Sequence, residues 1–165
     1  MANKVFANGR EIACKAGAGM ANLPVGDVCL TPPPPAPPSP EPPGVPVPYP
    51  AIGKGSDTDK GSKSVKISNK PVYLKGNSVL KKTYGDEAGV AQGASLKKGV
   101  VSMCNRGEVE FRMSASNVKF EGKAVCRHLD IVTLNGNGDP DNTPPVPYLD
   151  GMAVPGPLQG DCEES

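Results

Sequence analysis

The residues best suited to chemistry lie in the short sequence CRHLD. Cys126, His128 and Asp130 alternate with other residues there, so in an extended strand their side chains would share one face. A thiol beside an imidazole and a carboxylate is the arrangement of a cysteine hydrolase, whereas a half-buried histidine paired with a carboxylate serves structure alone. His128 is the only histidine of the sequence. The sequence therefore predicts a protein that is not an enzyme, and a small secreted toxin or hydrolase that uses these three residues is the alternative.

The cysteines indicate a second kind of site. Thiolate and imidazole groups bind zinc well, and a closed structural zinc site normally takes four ligands. Cys14, Cys29, Cys126 and His128 form the candidate set, although their spacing does not show that they converge. The cysteines are odd in number and lack CxxC spacing, which indicates buried free thiols and not a disulfide framework. No cofactor other than zinc is predicted.

The charge pattern argues for a protein partner. Lysines crowd the segment 54–82, while residues 130–165 carry acidic residues and no Lys or Arg. The basic segment lacks the arginine clusters and interleaved aromatic residues typical of nucleic-acid interfaces, so no nucleic-acid partner is predicted. The loop GKGSDTDKGS also lacks the spacing of a P-loop. Two interpretations stay open: the basic face docks an acidic partner, or the acidic tail covers it.

The start of the chain is polar, with Val5 and Phe6 as isolated apolar residues. No secretory signal peptide is predicted from it, and no stretch of about 18 apolar residues is present that would span a bilayer. We therefore expect no stable membrane anchor and a protein that first folds in the cytoplasm.

Short β-hairpins are the elements that must position these residues. Asn8-Gly9 supplies the two positive φ angles of a type I′ turn, and Glu121-Gly122 separates a second pair of short strands. Alternating apolar and polar residues predict further strands with one buried face at 65–67, 72–74 and 108–113. We find no internal repeat of fixed period and no long amphipathic helix. The sequence therefore predicts an all-β domain with a thin, mostly aliphatic core.

A proline-rich tract interrupts the strand pattern between residues 32 and 50. Proline lacks the N–H that interior sheet pairing needs and fixes φ at about −65°, so we expect neither regular sheet nor helix there. Polyproline II conformation fits, either as an extended strap that braces the domain or as a ligand for a partner's aromatic groove. After Leu134 the sequence NGNGDPDNTPP is expected to end regular structure. Residues 135–165 are then a Pro/Gly-rich acidic C-terminal extension.

Several segments, in this order, resemble PAAR-like proteins, which form the spike tip of the bacterial type VI secretion system. They are MANKVFANGREIACKAG, DVCLTPP, PPGVPVPYP, GSKSVKISNKPVYLK, KKTYGDEAG, KKGVVS and VKFEGKAVCRHLD. The resemblance covers residues 1–134 and implies a small, compact, pointed, cone-like β-rich domain. The sequence departs from the family at the zinc site: PAAR proteins hold a zinc ion near the tip with several histidines and a cysteine, whereas His128 stands alone here.

The resemblance also implies a function. A PAAR-like tip caps the trimeric valine-glycine repeat (VgrG) spike, one tip per trimer, sharpens it for penetration of a target envelope, and in some members carries or recruits toxic effectors. The expected role is therefore structural, with assembly in the cytoplasm followed by export into the medium or a target cell. A related contractile injection particle would give the same pattern. An effector adaptor engaged through the polyproline segment is the further alternative.

Overall fold

The fold is all-β, as predicted. The computed structural model describes residues 5–31, 44–87, 99–138 and 140–151. The strands of these residues are β1 (Phe6–Ala7), β2 (Arg10–Glu11), β3 (Met20–Thr31), β4 (Val45–Lys54), β5 (Thr58–Asp59), β6 (Lys66–Ile67), β7 (Lys70–Pro71), β8 (Val79–Leu80), β9 (Thr83–Tyr84), β10 (Glu108–Phe111), β11 (Lys119–Phe120), β12 (Lys123–Ala124), β13 (Ile131–Gly136) and β14 (Val146–Leu149). In the same part of the chain, the only helical segments are the single 3-10 turns Lys15–Gly17 and Gly55–Asp57.

Eight of the strands form one antiparallel sheet, which we call the main sheet. Its strand order is β5-β8-β10-β13-β14-β3-β4-β9. The longest pairing joins β3 to β4 and contains a register shift between Leu23 and Asp27. Because sequence neighbours are often not sheet neighbours, the main sheet brings together residues from both ends of the described chain.

Three short hairpins lie outside the main sheet and share one design. They are β1–β2, β6–β7 and β11–β12. The two turn residues of each have positive φ angles: 51° and 73° at Asn8-Gly9, 49° and 60° at Ser68-Asn69, and 53° and 76° at Glu121-Gly122. Two successive positive φ angles define a type I′ turn, whose twist suits a two-residue hairpin loop. The predicted hairpin turns at the first and third of these sites are confirmed.

The sequences around the three hairpins align without gaps. They form an internal repeat that has no fixed period. Residues 5–17, 65–77 and 118–130 read VFANGREIACKAG, VKISNKPVYLKGN and VKFEGKAVCRHLD. We call these segments arms 1, 2 and 3. Each arm begins with Val, carries a basic residue directly after the turn, and has Ile or Val two positions later. The repeat escapes a search for a fixed period because unequal lengths of chain separate the arms.

The arms meet around a pseudo-threefold axis. Their middle residues form a closed ring of main-chain hydrogen bonds: Tyr73 N–H donates to the Ala13 carbonyl at 3.2 Å, Ala13 N–H to the Cys126 carbonyl at 3.0 Å, and Cys126 N–H to the Tyr73 carbonyl at 2.9 Å. Bridges between neighbouring arms follow the same cyclic order, at Ile12–Arg127, Cys14–Val72 and Leu74–Val125. Each arm of this one chain therefore contacts the other two in an equivalent way.

The side chains of the arms divide between two cores. The ring residues point into the larger core, where the aromatic rings of Tyr73, Phe111 and Tyr148 pack with centroids no more than 5.7 Å apart. Their neighbours in the arms, such as Ile12 and Leu74, belong to the second core. Adjacent residues of an extended strand face opposite ways. The arms therefore connect the core of the main sheet to the core beneath the hairpins.

Part of the proline-rich tract is regular sheet, which corrects the prediction of an irregular strap over 32–50. Residues 32–43 lie outside the described residues, but β4 begins at Val45 and pairs with β3. Pro46, Pro48 and Pro50 alternate along β4 and are exposed. The residues between them keep their N–H groups for pairing with β3, while β9 pairs only with the later part of β4. Among the described strands, none pairs with the proline-containing part of β4 on the edge away from β3, and proline is tolerated at such an edge.

Regular structure also continues beyond Leu134, where we expected it to end. β13 runs on to Gly136, and β14 lies between β13 and β3 in the main sheet. Tyr148 of β14 is fully buried, so the larger core depends on this strand. The predicted boundary between residues 134 and 135 therefore cuts through the main sheet. Residues 152–165 of the predicted acidic extension lie outside the described residues.

Candidate functional site

The CRHLD segment forms the end of arm 3, and its charged groups are committed to structure. Asp130 is fully buried, and its carboxylate accepts hydrogen bonds from the main-chain N–H of Arg127 at 2.8 Å and from Nη2 of the same residue at 2.9 Å. Nη1 of Arg10, in arm 1, lies 3.4 Å from Oδ1 of Asp130. Arg127 also donates to the side chain of Asn8 at 3.3 Å. Asp130 and Arg127 therefore join arm 3 to arm 1.

Cys126 and His128 do not form a nucleophile and its base. Cys126 is fully buried in the larger core, and burial, with the nearby negative charge of Asp130, raises the pKa of its thiol far above the ordinary value. His128 is half-buried, and its Nδ1 accepts a hydrogen bond from the main-chain N–H of Asp150 at 3.0 Å. A cysteine attacks as the thiolate. The geometry therefore gives no support to a hydrolase that uses Cys126, His128 and Asp130.

The structure does not bring the four predicted zinc ligands together. Cys14 packs in the second core and Cys126 in the larger core, and burial raises the pKa of the Cys14 thiol. Cys29 lies on β3 of the main sheet. In the described part of the chain, the potential ligand atoms that lie within 4.8 Å of one another belong to Asp27, Cys29 and Asp86. Zinc binding by the predicted set stays a prediction, and Cys29 is its only member in this group.

Asp27, Cys29 and Asp86 belong to a polar cluster inside the fold. Asp27 and Cys29 share one face of β3, Asp86 follows β9, and all three are 0% exposed. Nδ2 of Asn135, on β13, donates to both carboxylate oxygens of Asp27 at 3.1 Å. Asn142 donates to the same carboxylate. Local sequence patterns do not indicate this cluster, because its members are single polar residues from distant segments. The sequence NGNGD, which contains Asn135, is also typical of a solvated turn.

Negative charge in this polar cluster is costly. Desolvation raises the pKa of Asp27 despite the hydrogen bonds from Asn135 and Asn142. Desolvation likewise raises the pKa of Asp86, and the charge of Asp27 adds to the rise. Oδ2 of Asp86 accepts a hydrogen bond from the main-chain N–H of Arg106 at 2.9 Å. Its Oδ1 has no partner among the described residues. A buried carboxylate in this setting needs a proton or a cation.

The hairpin end of the arms carries a repeated charge pattern. Arg10, Lys70 and Lys123 follow the three turns at equivalent positions, and all three are exposed. At the first position of each hairpin, arms 2 and 3 carry exposed lysines, and arm 1 carries Phe6 with 61% exposure. The arms therefore present a basic surface whose main charges repeat about the pseudo-threefold axis.

Turn residues hold neighbouring arms together at this end. Oε1 of Glu121, in the arm 3 turn, accepts hydrogen bonds from the N–H groups of Lys63 at 2.8 Å and Ser64 at 2.6 Å, beside the start of arm 2. Asn8, the equivalent residue of arm 1, donates to Asn117 at 2.7 Å, beside the start of arm 3. The Ser64 hydroxyl and these N–H groups lower the pKa of Glu121 to about 2. Side-chain contacts from the turns of arms 1 and 3 thus add to the main-chain contacts between arms.

Comparison with known proteins agrees with the resemblance seen in the sequence. Residues 19–144 match the model of a family described as the toxin PAAR-like domain. A relative, the "DNase toxin Tse7" of Pseudomonas aeruginosa, is 49% identical over 154 residues, which are 93% of this chain and 38% of the relative. The chain therefore spans well under half the length of this relative. No solved structure matches the chain.

The relative corrects two expectations of the sequence analysis. The prediction that the protein is not an enzyme is contradicted, because the relative's name states an enzymatic activity at 49% identity over most of this chain. The exclusion of nucleic acid as a partner conflicts with the same name. Both expectations were drawn from the lack of a recognisable motif in this chain, which covers 38% of the relative's length.

The family match covers arms 2 and 3 and most of the main sheet. It supports the predicted association with the type VI secretion system. The described residues contain no helix that is long and apolar enough to cross a membrane. The family model, supported by the relative, shows that this chain belongs to the toxin PAAR-like domain family.

Proposed function

We propose that this chain caps a trimeric spike protein of the type VI secretion apparatus as a single copy, and that it is itself a DNase toxin exported in this position. A trimer presents three identical surfaces around its axis. A single chain contacts all three alike only when it repeats its own surface about the same axis. The closed hydrogen-bond ring of Ala13, Tyr73 and Cys126 carries the proposal, because it relates three arms of one chain in this manner.

The construction of the arms favours a rigid fit to the spike. Their main chains are joined by the hydrogen-bond ring and the flanking β-bridges. The turns of arms 1 and 3 add side-chain contacts. A surface that is already ordered loses less conformational entropy on binding. The exposed cations Arg10, Lys70 and Lys123 would speed association with an anionic partner surface at the hairpin end.

The toxin part of the proposal is supported by the relative and by the family description. The relative is named a DNase toxin and is 49% identical over 93% of this chain. The matched family is a toxin PAAR-like domain. We therefore propose that the substrate of this protein is the DNA of a target cell. The protein would reach that DNA after export with the spike.

Complex formation with the spike tests the docking part. The purified protein is mixed with its cognate spike trimer, and native mass spectrometry measures the stoichiometry. One copy per trimer is expected, and hydrogen exchange should then show similar new protection at equivalent positions of all three arms. Three bound copies, or protection confined to one arm, would contradict docking along the pseudo-threefold axis.

A nuclease assay tests the toxin part separately. The protein is incubated with supercoiled plasmid DNA and Mg²⁺, with a chelator-treated sample as the control. Nicked or linear plasmid is expected only in the sample with Mg²⁺. Intact plasmid at high protein concentration would contradict the DNase assignment and would leave the docking proposal standing.

A further inference from the structure

An unpartnered carboxylate oxygen lies in the polar cluster beside a thiol. Asp27, Cys29 and Asp86 each offer one ligand atom, and these atoms lie within 4.8 Å of one another. All three residues are 0% exposed. Independently of this spacing, Oδ1 of Asp86 is buried and has no hydrogen-bond partner in the described part of the chain. The carboxylate is therefore built into a position where a donor or a cation is needed.

We propose that Asp27, Cys29 and Asp86 bind one zinc ion. Within the described ranges, neither carboxylate makes an ion pair with a Lys, Arg or His side chain. Their described partners are the side chains of Asn135 and Asn142 and the main-chain N–H of Arg106. A divalent ion bound by the two carboxylates and the thiolate offsets most of their negative charge, because it lies where the ligand atoms converge.

The combination of ligands selects the metal. Mg²⁺ and Ca²⁺ prefer sites made of oxygen alone, whereas a thiolate favours a softer ion such as Zn²⁺. Zinc accepts Cys sulfur and carboxylate oxygen at about 2.3 Å and about 2.0–2.2 Å. Three protein ligands leave the fourth position of a tetrahedral zinc ion to water, as in an open zinc site.

Asn135 forms hydrogen bonds to the proposed metal ligands without being a ligand itself. Its Nδ2 donates to both oxygens of Asp27 and lies 3.8 Å from the sulfur of Cys29. Its Oδ1 is held in turn by the main-chain N–H of Gly107 at 2.8 Å. Hydrogen bonds of this kind orient metal ligands and steady a thiolate. One amide therefore fixes two of the three ligands.

Metal titration of the chelator-treated protein tests the proposal. Co²⁺ is the first probe, because a cysteine ligand gives a thiolate-to-cobalt absorption band, and Zn²⁺ is then added to displace it. One ion per chain and a rise in melting temperature with Zn²⁺ are expected. Cys29→Ser should remove the band, and Asp86→Asn should weaken zinc binding by more than about 100-fold.

Two matched variants keep the test specific. Cys104→Ser changes a half-exposed thiol outside the cluster, so the cobalt band should persist in it. Asp86→Asn keeps the side-chain shape and removes a buried charge, so the metal-free protein should still fold, as checked by circular dichroism.

A wild-type protein that binds no zinc would overturn the proposal, as would a band that survives Cys29→Ser. A band that disappears in His128→Gln but not in Asp86→Asn would assign the metal elsewhere. Spike docking does not depend on these outcomes.

Discussion

The three arms and the main sheet bury their charged groups in opposite ways. In arm 3 the buried carboxylate of Asp130 is satisfied by Arg127, three residues away in the chain. In the main sheet Asp27 relies on Asn135 and Asn142, more than a hundred residues distant. One oxygen of Asp86 has no partner among the described residues. The buried carboxylate of arm 3 thus has a charged partner close to it in the sequence, whereas the sheet assembles its polar cluster from distant segments.

This difference separates the two proposals. The arms supply shape: a repeated, ordered surface for a trimeric partner. The polar cluster supplies chemistry: ligand atoms whose charge calls for a metal ion. Changes in either region should therefore have effects that differ in size, in dependence on metal and in dependence on pH.

The largest loss of stability should follow from a change in the core that both regions share. Tyr148→Ala removes a fully buried ring that packs against Tyr73 and Phe111, and we expect it to lower the free energy of unfolding by about 3–5 kcal/mol. Urea unfolding measures this. Phe6→Ala removes a ring that is 61% exposed and should change stability by less than about 0.5 kcal/mol. Similar losses in the two variants would contradict the shared core.

Breaking the buried ion pair of arm 3 should have the next largest effect. Asp130→Asn leaves the guanidinium of Arg127 without its carboxylate, and we expect a loss of about 3 kcal/mol. Asp59→Asn is the matched control, because Asp59 lies 3.8 Å from Lys81 in an exposed pair, worth at most about 1 kcal/mol. Equal, small losses in both variants would show that Asp130 does not hold arm 3 to arm 1.

A gain of stability should follow from making arm 2 resemble the other arms. Ser68 and Asn69 carry positive φ angles at the turn where arm 1 has Asn8-Gly9. The double change Ser68→Asn with Asn69→Gly should raise stability by about 1 kcal/mol, because Gly adopts this conformation without strain. Gly122→Ala should have the opposite sign, although its new Cβ would meet nothing within 4 Å. Thermal unfolding measures both, and a destabilised double variant would contradict the equivalence of the turns.

The smallest effect should be a pH-dependent one at the exposed end. Glu121 has its pKa lowered from 4.5 to about 2 by the Ser64 hydroxyl and nearby N–H groups. A lowered carboxyl pKa contributes stability above the unfolded value and loses it as pH falls towards the folded value. The difference in unfolding free energy between wild type and Glu121→Gln should therefore vanish as pH falls from 6 to about 2. Asn8→Ala, at the equivalent neutral residue, should show a loss that does not follow this titration.

Much of the local structure of the arms is predictable from their residues. Type I′ turns at Asn8-Gly9 and Glu121-Gly122 follow from residues that tolerate positive φ. Val109 and Phe111 are buried as the alternation in EVEFRM predicts, whereas Met113 lies beyond the end of β10 and is 42% exposed. Alternation gives the face of a strand and not the point where its partner ends.

The candidate metal site was not predictable in the same way. Cys29 was recognised as a ligand type, but its neighbours in space, Asp27 and Asp86, carry no motif. The set predicted instead combined Cys14 and Cys126, whose side chains lie in different cores. Residue type indicates which groups bind metal, and only convergence in space decides which of them share an ion.

The sequence by itself determined the turns, the short strands and the family, because these depend on residues that are close together along the chain. The tertiary structure alone decided three things. It placed the arms about one axis through main-chain hydrogen bonds that any residue except proline can donate. It placed the prolines of β4 on an edge that no described strand pairs with, and it brought Asp27, Cys29 and Asp86 together. Each depends on contacts between distant segments, and such contacts leave no spacing pattern in a single sequence.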